Sequence, residues 1–212
     1  MNPGQQESHP QEHQPRSEQE TVPVPRTVAR AFGRWIGQHL SKPLQDIKGA
    51  LENPDMDADQ DPTIGLFIKT MRERFPEIQE IFTGLNEAEE VRLQRTEAGN
   101  DRFLFSGVDH TPLPAGEYLL DASFQKRFAA ALSHNIGTPN SALLGFSELI
   151  SNRYSNSPFT PSALQINKQA KAIDNLLKPI VEIDAGKVQV KITVGENEIV
   201  DVSLIPRPET EG

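Results

Sequence analysis

Hydrophobic residues recur every three or four positions along four stretches of this chain and alternate along several shorter ones. From Phe128 to Ile150 the residues Phe128, Leu132, Ile136, Pro139, Leu143, Phe146 and Ile150 form the apolar stripe of a helix that packs in a bundle. Val28 to Leu51 repeats the pattern through Phe32, Ile36, Leu40, Pro43 and Ile47. Each stretch leads into a turn-rich connection, Asn53 to Pro62 or Ser155 to Pro161, and then into a second amphipathic helix. In those second helices Leu66, Ile68, Phe75, Ile78, Phe82 and Leu85 match Leu164, Ile166, Ile173, Leu176, Ile180 and Ile183. Interior prolines, Pro76 and Pro179, predict a bend in each. Alternation then takes over. Val188, Val190, Ile192 and Val194 lead into the turn Gly195-Glu196-Asn197, and Val200, Val202 and Leu204 alternate back, which predicts a β-hairpin. Val91-Arg92-Leu93 and Phe103-Leu104-Phe105 follow the same plan in the first half.

The two halves are one pattern used twice. A shift of 96 residues lays Phe32 on Phe128, Ile36 on Leu132, Leu40 on Ile136, Pro43 on Pro139, Ile47 on Leu143 and Gly49 on Gly145. The pattern predicts a mainly α fold, a four-helix bundle made from two helical hairpins of one chain, each followed by a β-hairpin. The expected boundaries are a polar tail over 1–26, a first repeat over 27–115 and a second over 116–208. A lone helix pair covers only one side of its stripe, so the two pairs are expected to cover each other in a monomeric pseudo-dimer.

Composition narrows the function classes. Residues 1–26 are rich in Gln, Glu, Pro and Ser without apolar periodicity, which predicts disorder. His9 and His13 sit there four apart, but lack the further ligands of a tetrahedral site, so no metal is expected. A net charge of −9 with no basic stripe argues against nucleic acid. No apolar run approaches the roughly 20 residues of a membrane span and no signal segment opens the chain. The chain has no cysteine, which removes thiol chemistry and fits a cytoplasmic protein.

His134 is the candidate for chemistry. Two residues past Leu132, it is turned by about 200° from the stripe and should face solvent. Its neighbours carry a resemblance: Phe128, Ser133-His134, Thr138-Pro139 and Gly145-Phe146-Ser147-Glu148-Leu149 resemble the H-box of the dimerisation and phosphoacceptor module of two-component sensor histidine kinases (HisKA-like). Ile183-Asp184-Ala185-Gly186-Lys187-Val188 is similar to the exit of that module into the kinase catalytic domain. Leu164 to Val190 looks like the second helix of that module, and the whole resemblance covers about a third of the chain.

The resemblance implies that His134 is a phosphoacceptor, taking a phosphoryl group on an imidazole nitrogen and passing it to an aspartate of a response regulator. It implies that Thr138, one turn on, orients water for dephosphorylation of the regulator, and that Asn135 stands where the family usually has an acid that assists the ring. An amide neither carries charge nor takes up a proton, so autophosphorylation should be weakened. Gly137 and Asn140 replace a basic residue and a leucine, and Gly137 beside Thr138-Pro139 should loosen this turn. In the first half Gln38 aligns with His134, so that site is not an acceptor; His39 and His110 are read as surface histidines. Only 24 residues follow Val188, without the family's nucleotide-binding motifs, so the chain is not expected to act as a kinase by itself or to hold a cofactor. The implied partners are a response regulator receiver domain, a separate histidine kinase, or both. The alternative is an inactive scaffold that only docks them.

Overall fold

A computed structural model of the chain describes residues 20–54 and 61–207. The order is β1 (Thr21–Val24), α1 (Arg26–Leu51), α2 (Pro62–Glu87), β2 (Glu90–Arg95), β3 (Asp101–Ser106), β4 (Gly116–Leu119), α3 (Ala122–Leu132), a π-helical turn (Ser133–Gly137), α4 (Thr138–Arg153), α5 (Thr160–Val181), β5 (Val188–Val194) and β6 (Val200–Pro206). The molecule is mainly helical, with two small antiparallel sheets of order β1-β2-β3 and β4-β5-β6. No helix among the described residues is long and apolar enough to cross a membrane.

The helices form where the periodicity places them, and their starts carry local signals. Asp61 accepts a hydrogen bond from the Thr63 backbone N–H (2.7 Å), with Pro62 opening α2. Asp121 caps α3 by accepting from the backbone N–H groups of Ser123 (2.8 Å) and Phe124 (3.4 Å). α1 packs against α2 and α5, and α4 packs against the same two, so their inward stripes share one core. Phe32 and Phe128 meet edge to face inside it, their ring centres 5.1 Å apart, while Phe67 and Phe146 stack at 5.0 Å.

Two residues of the expected stripes face outward. The buried positions of α2 are Ile64, Ile68, Met71, Phe75, Ile78, Phe82 and Leu85, at steps of three or four, together with Ile81. Leu66 stands two residues off that series, about 200° round, and is 60% exposed; Leu164 of α5 is likewise 55% exposed.

The polar tail expected over 1–26 stops short of Arg26, because Thr21–Val24 pair with β2 in the register Val22 to Leu93 and Val24 to Val91. Val24 is buried at 5% exposure. Pro23 is tolerated because β1 is an edge strand. The rest of the tail, with His9 and His13, and residues 55–60 of the first connection lie outside the described residues. β4, which precedes α3 and pairs with β5, matches β1 in its place. Residues 21–106 thus run strand, helix, helix, strand, strand, and residues 116–206 follow the same order.

The sheets lock the leading helices. Buried Gln125 of α3 donates to the Val188 carbonyl (3.1 Å) and accepts from the Val190 N–H (3.0 Å), tying α3 to β5. On its other side Arg127 reaches β3, where Asp101 accepts from Nη2 (2.7 Å) and Nε (3.3 Å).

Candidate functional site

α3, the π turn and α4 follow one another without leaving helical backbone angles. Proline has no N–H, and its ring crowds the carbonyl four residues back, here that of Asn135. A π turn relieves both, because its hydrogen bonds skip to the fifth residue. Pro43, Pro76 and Pro179 lie inside α1, α2 and α5 without such a turn, so the proline alone is not the cause. Gly137, two residues before Pro139, lacks the Cβ that would favour regular helix. Its carbonyl accepts from the Ser141 hydroxyl (2.8 Å). The loosening expected from Gly137-Thr138-Pro139 is therefore present as a defined wider turn.

His134 and Thr138 are both exposed, and neither has a hydrogen-bond partner among the described residues. Four residues apart, they stand within about 40° of each other around the helix and share a face. Ala130, Ser133, Ser141 and Gly145 are the exposed residues around them on the same helices, all small and uncharged. An imidazole presented this way is open to a large reaction partner.

Asn135 is placed differently. Its Nδ2 donates to the carbonyls of Ala131 (2.7 Å) and Asp101 (3.0 Å), so both amide hydrogens are committed to main chain. The side chain pins the π turn to β3 of the first half and is not part of the exposed pair. Beneath it the Asp101 side chain is fully buried and also takes Arg95 Nη1 (3.2 Å). Arg127 is held above its ordinary pKa, first by its hydrogen bond to Asp101, and its Nη1 also meets Glu20 (2.7 Å). The charge in this layer is neutralised by pairing.

A comparable link joins α1 to the other sheet. Gln38 donates to the Glu198 carbonyl (3.3 Å) and accepts from the Val200 N–H (3.3 Å), so its side chain is tied to the turn between β5 and β6. Glu198 has φ 54°, a left-handed backbone that its bonds to Arg34 (2.8 Å) and the Leu113 N–H (3.1 Å) help to hold. His39 lies edge-on to Trp35, ring centres 5.4 Å apart. His110 is exposed in the segment between β3 and β4.

A cleft of about 160 Å³ opens between the π turn and α5, with Ser133 and Gly137 on one side and Leu177 and Asp174 on the other. Asn140 lines it. That residue is only 2% exposed; its Nδ2 donates to the Ala170 carbonyl (2.9 Å), and its Oδ1 has no partner among the described residues. Its signal in the sequence was an amide where the resemblance has leucine. Compared with known proteins, the chain matches no family model, no curated protein and no solved structure at a significant level.

Proposed function

We propose that this chain is a histidine phosphotransfer module of two-component signalling, an internally duplicated relative of the kinase dimerisation and phosphoacceptor module in which His134 takes and passes the phosphoryl group. The observation that carries this is the contrast between matching positions. Gln38 is held by two hydrogen bonds, whereas His134 stands exposed and unpartnered among the described residues on a π turn, a distortion frequently found at functional sites. The Phe32–Phe128 contact supports the duplication: residues equivalent under the repeat touch each other, as they do across a two-fold axis.

The chemistry uses the lone pair of an imidazole nitrogen as nucleophile. The lone pair of the ring nitrogen without hydrogen attacks the phosphorus of an aspartyl phosphate. An N–P bond forms as the acyl O–P bond breaks, and the carboxylate leaves with the electron pair. The proton on the other ring nitrogen passes to solvent, since Asn135 is no base and its amide hydrogens are occupied. Reversal delivers the group to an aspartate. The partners are a receiver domain and a separate donor kinase, and the setting is cytoplasmic. Thr138, on the same face, is placed to orient water against an aspartyl phosphate docked there.

Asn135 also favours a second reading, a docking scaffold without chemistry, because the acid that normally assists the ring is an amide used structurally. Labelling separates the two. A phosphorylated receiver domain from the same cell should label the chain with an acid-labile, base-stable phosphoryl group at His134, and His134→Gln should remove the label. Receiver binding without label from any donor would leave the scaffold.

A further inference from the structure

We propose that Asn135 is the positioning residue of His134: by tying the π turn to β3 it sets the direction in which the imidazole is presented, and an acid in its place releases the ring instead of activating it. This rests on His134 as the acceptor, the reading given above. Asn135 follows His134 directly, so what holds its backbone also holds the Cα–Cβ direction of the histidine. Its amide suits that task. The two hydrogens of Nδ2 go to the Ala131 carbonyl one turn back (2.7 Å) and to the Asp101 carbonyl at the start of β3 (3.0 Å). His134 itself is exposed and makes no hydrogen bond among the described residues, so its own side chain fixes nothing.

A second grip makes the anchor firm. The Asp101 side chain is fully buried against Arg127 (2.7 Å) and Arg95 (3.2 Å). Arg127 stands on the same run of helix as Asn135, about two turns earlier. One residue of β3 is therefore held by its main chain at the π turn and by its side chain along α3, and sliding of the turn against the strand breaks one hold or the other. The donor character of Asn135 matters as much as its shape. An ionised aspartate has nearly the same shape but only acceptors, so a carboxylate oxygen in the place of Nδ2 meets two carbonyl oxygens and both ties are lost.

The test compares Asn135→Asp and Asn135→Ala with the parent in the full chain. Before any phosphorylation, both variants should shift the resonances of the His134 ring and speed amide exchange over Ser133–Gly137, with the helices of the bundle unchanged. With a phosphorylated receiver domain from the same cell as donor, labelling of His134 should slow by about ten- to a hundredfold in both. Labelling by phosphoramidate, whose P–N bond breaks to release ammonia as the His134 N–P bond forms, needs no docked geometry and should hardly change. An Asn135→Asp chain that takes label from the receiver as fast as the parent, or faster, overturns the proposal, and so do unmoved His134 resonances in Asn135→Ala. A parent that takes no label from any receiver sinks the acceptor reading instead, and the resonances alone then decide whether Asn135 holds the ring. Should both variants fail to fold, Arg127→Lys keeps the charge and loses the paired hydrogen bonds to Asp101; unchanged His134 resonances and unchanged labelling there overturn the proposal.

Discussion

His134 and Gln38, which a shift of 96 residues superposes, have different surroundings. Because His134 makes no hydrogen bond to described residues and is exposed, His134→Gln should change stability by no more than about 0.5 kcal/mol while abolishing any label. Thermal unfolding of the purified variant checks the first part; loss of the fold would mean that the side chain carries packing the exposed placement denies. Asp121 is a residue whose contribution depends on pH. The Ser123 hydroxyl and the backbone N–H groups at the start of α3 hold its carboxyl below the ordinary value of 3.8. A carboxylate depressed in the folded state adds stability above its unfolded pKa, and that gain disappears as pH falls through the folded value. Asp121→Ala should therefore lower stability near neutrality, through loss of the helix cap. Denaturant unfolding at a series of pH values should show the difference from the parent shrinking below pH 3.8; a constant difference would mean that the cap is not acting through its charge.

Among the elements, the four helical stretches were legible because an apolar period near 3.6, sustained over more than twenty residues, matches the turn of a helix and drifts out of step with a strand. The later hairpin was legible for the same reason with a period of two. β1 and β4 were not. Each has four residues, and Thr-Val-Pro-Val and Gly-Glu-Tyr-Leu carry a proline or a glycine that counts against a strand. Only pairing with β2 and β5 makes them strands. β1 gives a measurable distinction. A chain beginning at Glu20 should melt with the parent, whereas one beginning at Pro25 loses the buried Val24 and four residues of pairing, and should be destabilised by about 2 kcal/mol. Equal melting of both would show that β1 adds nothing. The wider turn at Ser133–Gly137 was half legible: Gly137-Thr138-Pro139 announced a loosening but not its form.

At the scale of the whole molecule, the central question is whether the two halves complete each other. With α1 between α2 and α5, and α4 between the same two, each hairpin covers the other's stripe, and the chain should sediment as a monomer. A stable dimer at micromolar concentration would refute the intramolecular pseudo-dimer. Phe32 and Phe128 test the same point energetically. Each truncation to alanine should cost about 3–5 kcal/mol. The double variant should depart from additivity by about 0.5–1.5 kcal/mol because the rings touch. Additive losses in chemical denaturation would show that the halves do not meet there.

What the sequence determined by itself was periodic and local: where the long helical stretches lie, most of their inward positions, with Leu66 and Leu164 facing outward and Ile183 beyond the end of α5, and the turning of His134 away from the core. These follow from the fixed geometry of a helix and need no partner. Tertiary structure decided what depends on two distant segments meeting. It made strands of Thr21–Val24 and Gly116–Leu119, tied Gln38 to the Glu198 turn, and bound Asn135 to Asp101, 34 residues back. It also left the Asn140 carbonyl oxygen facing no donor among the described residues. Hydrogen bonds satisfy individual atoms, and which atoms meet is set by how the halves pack, something no spacing along the chain encodes.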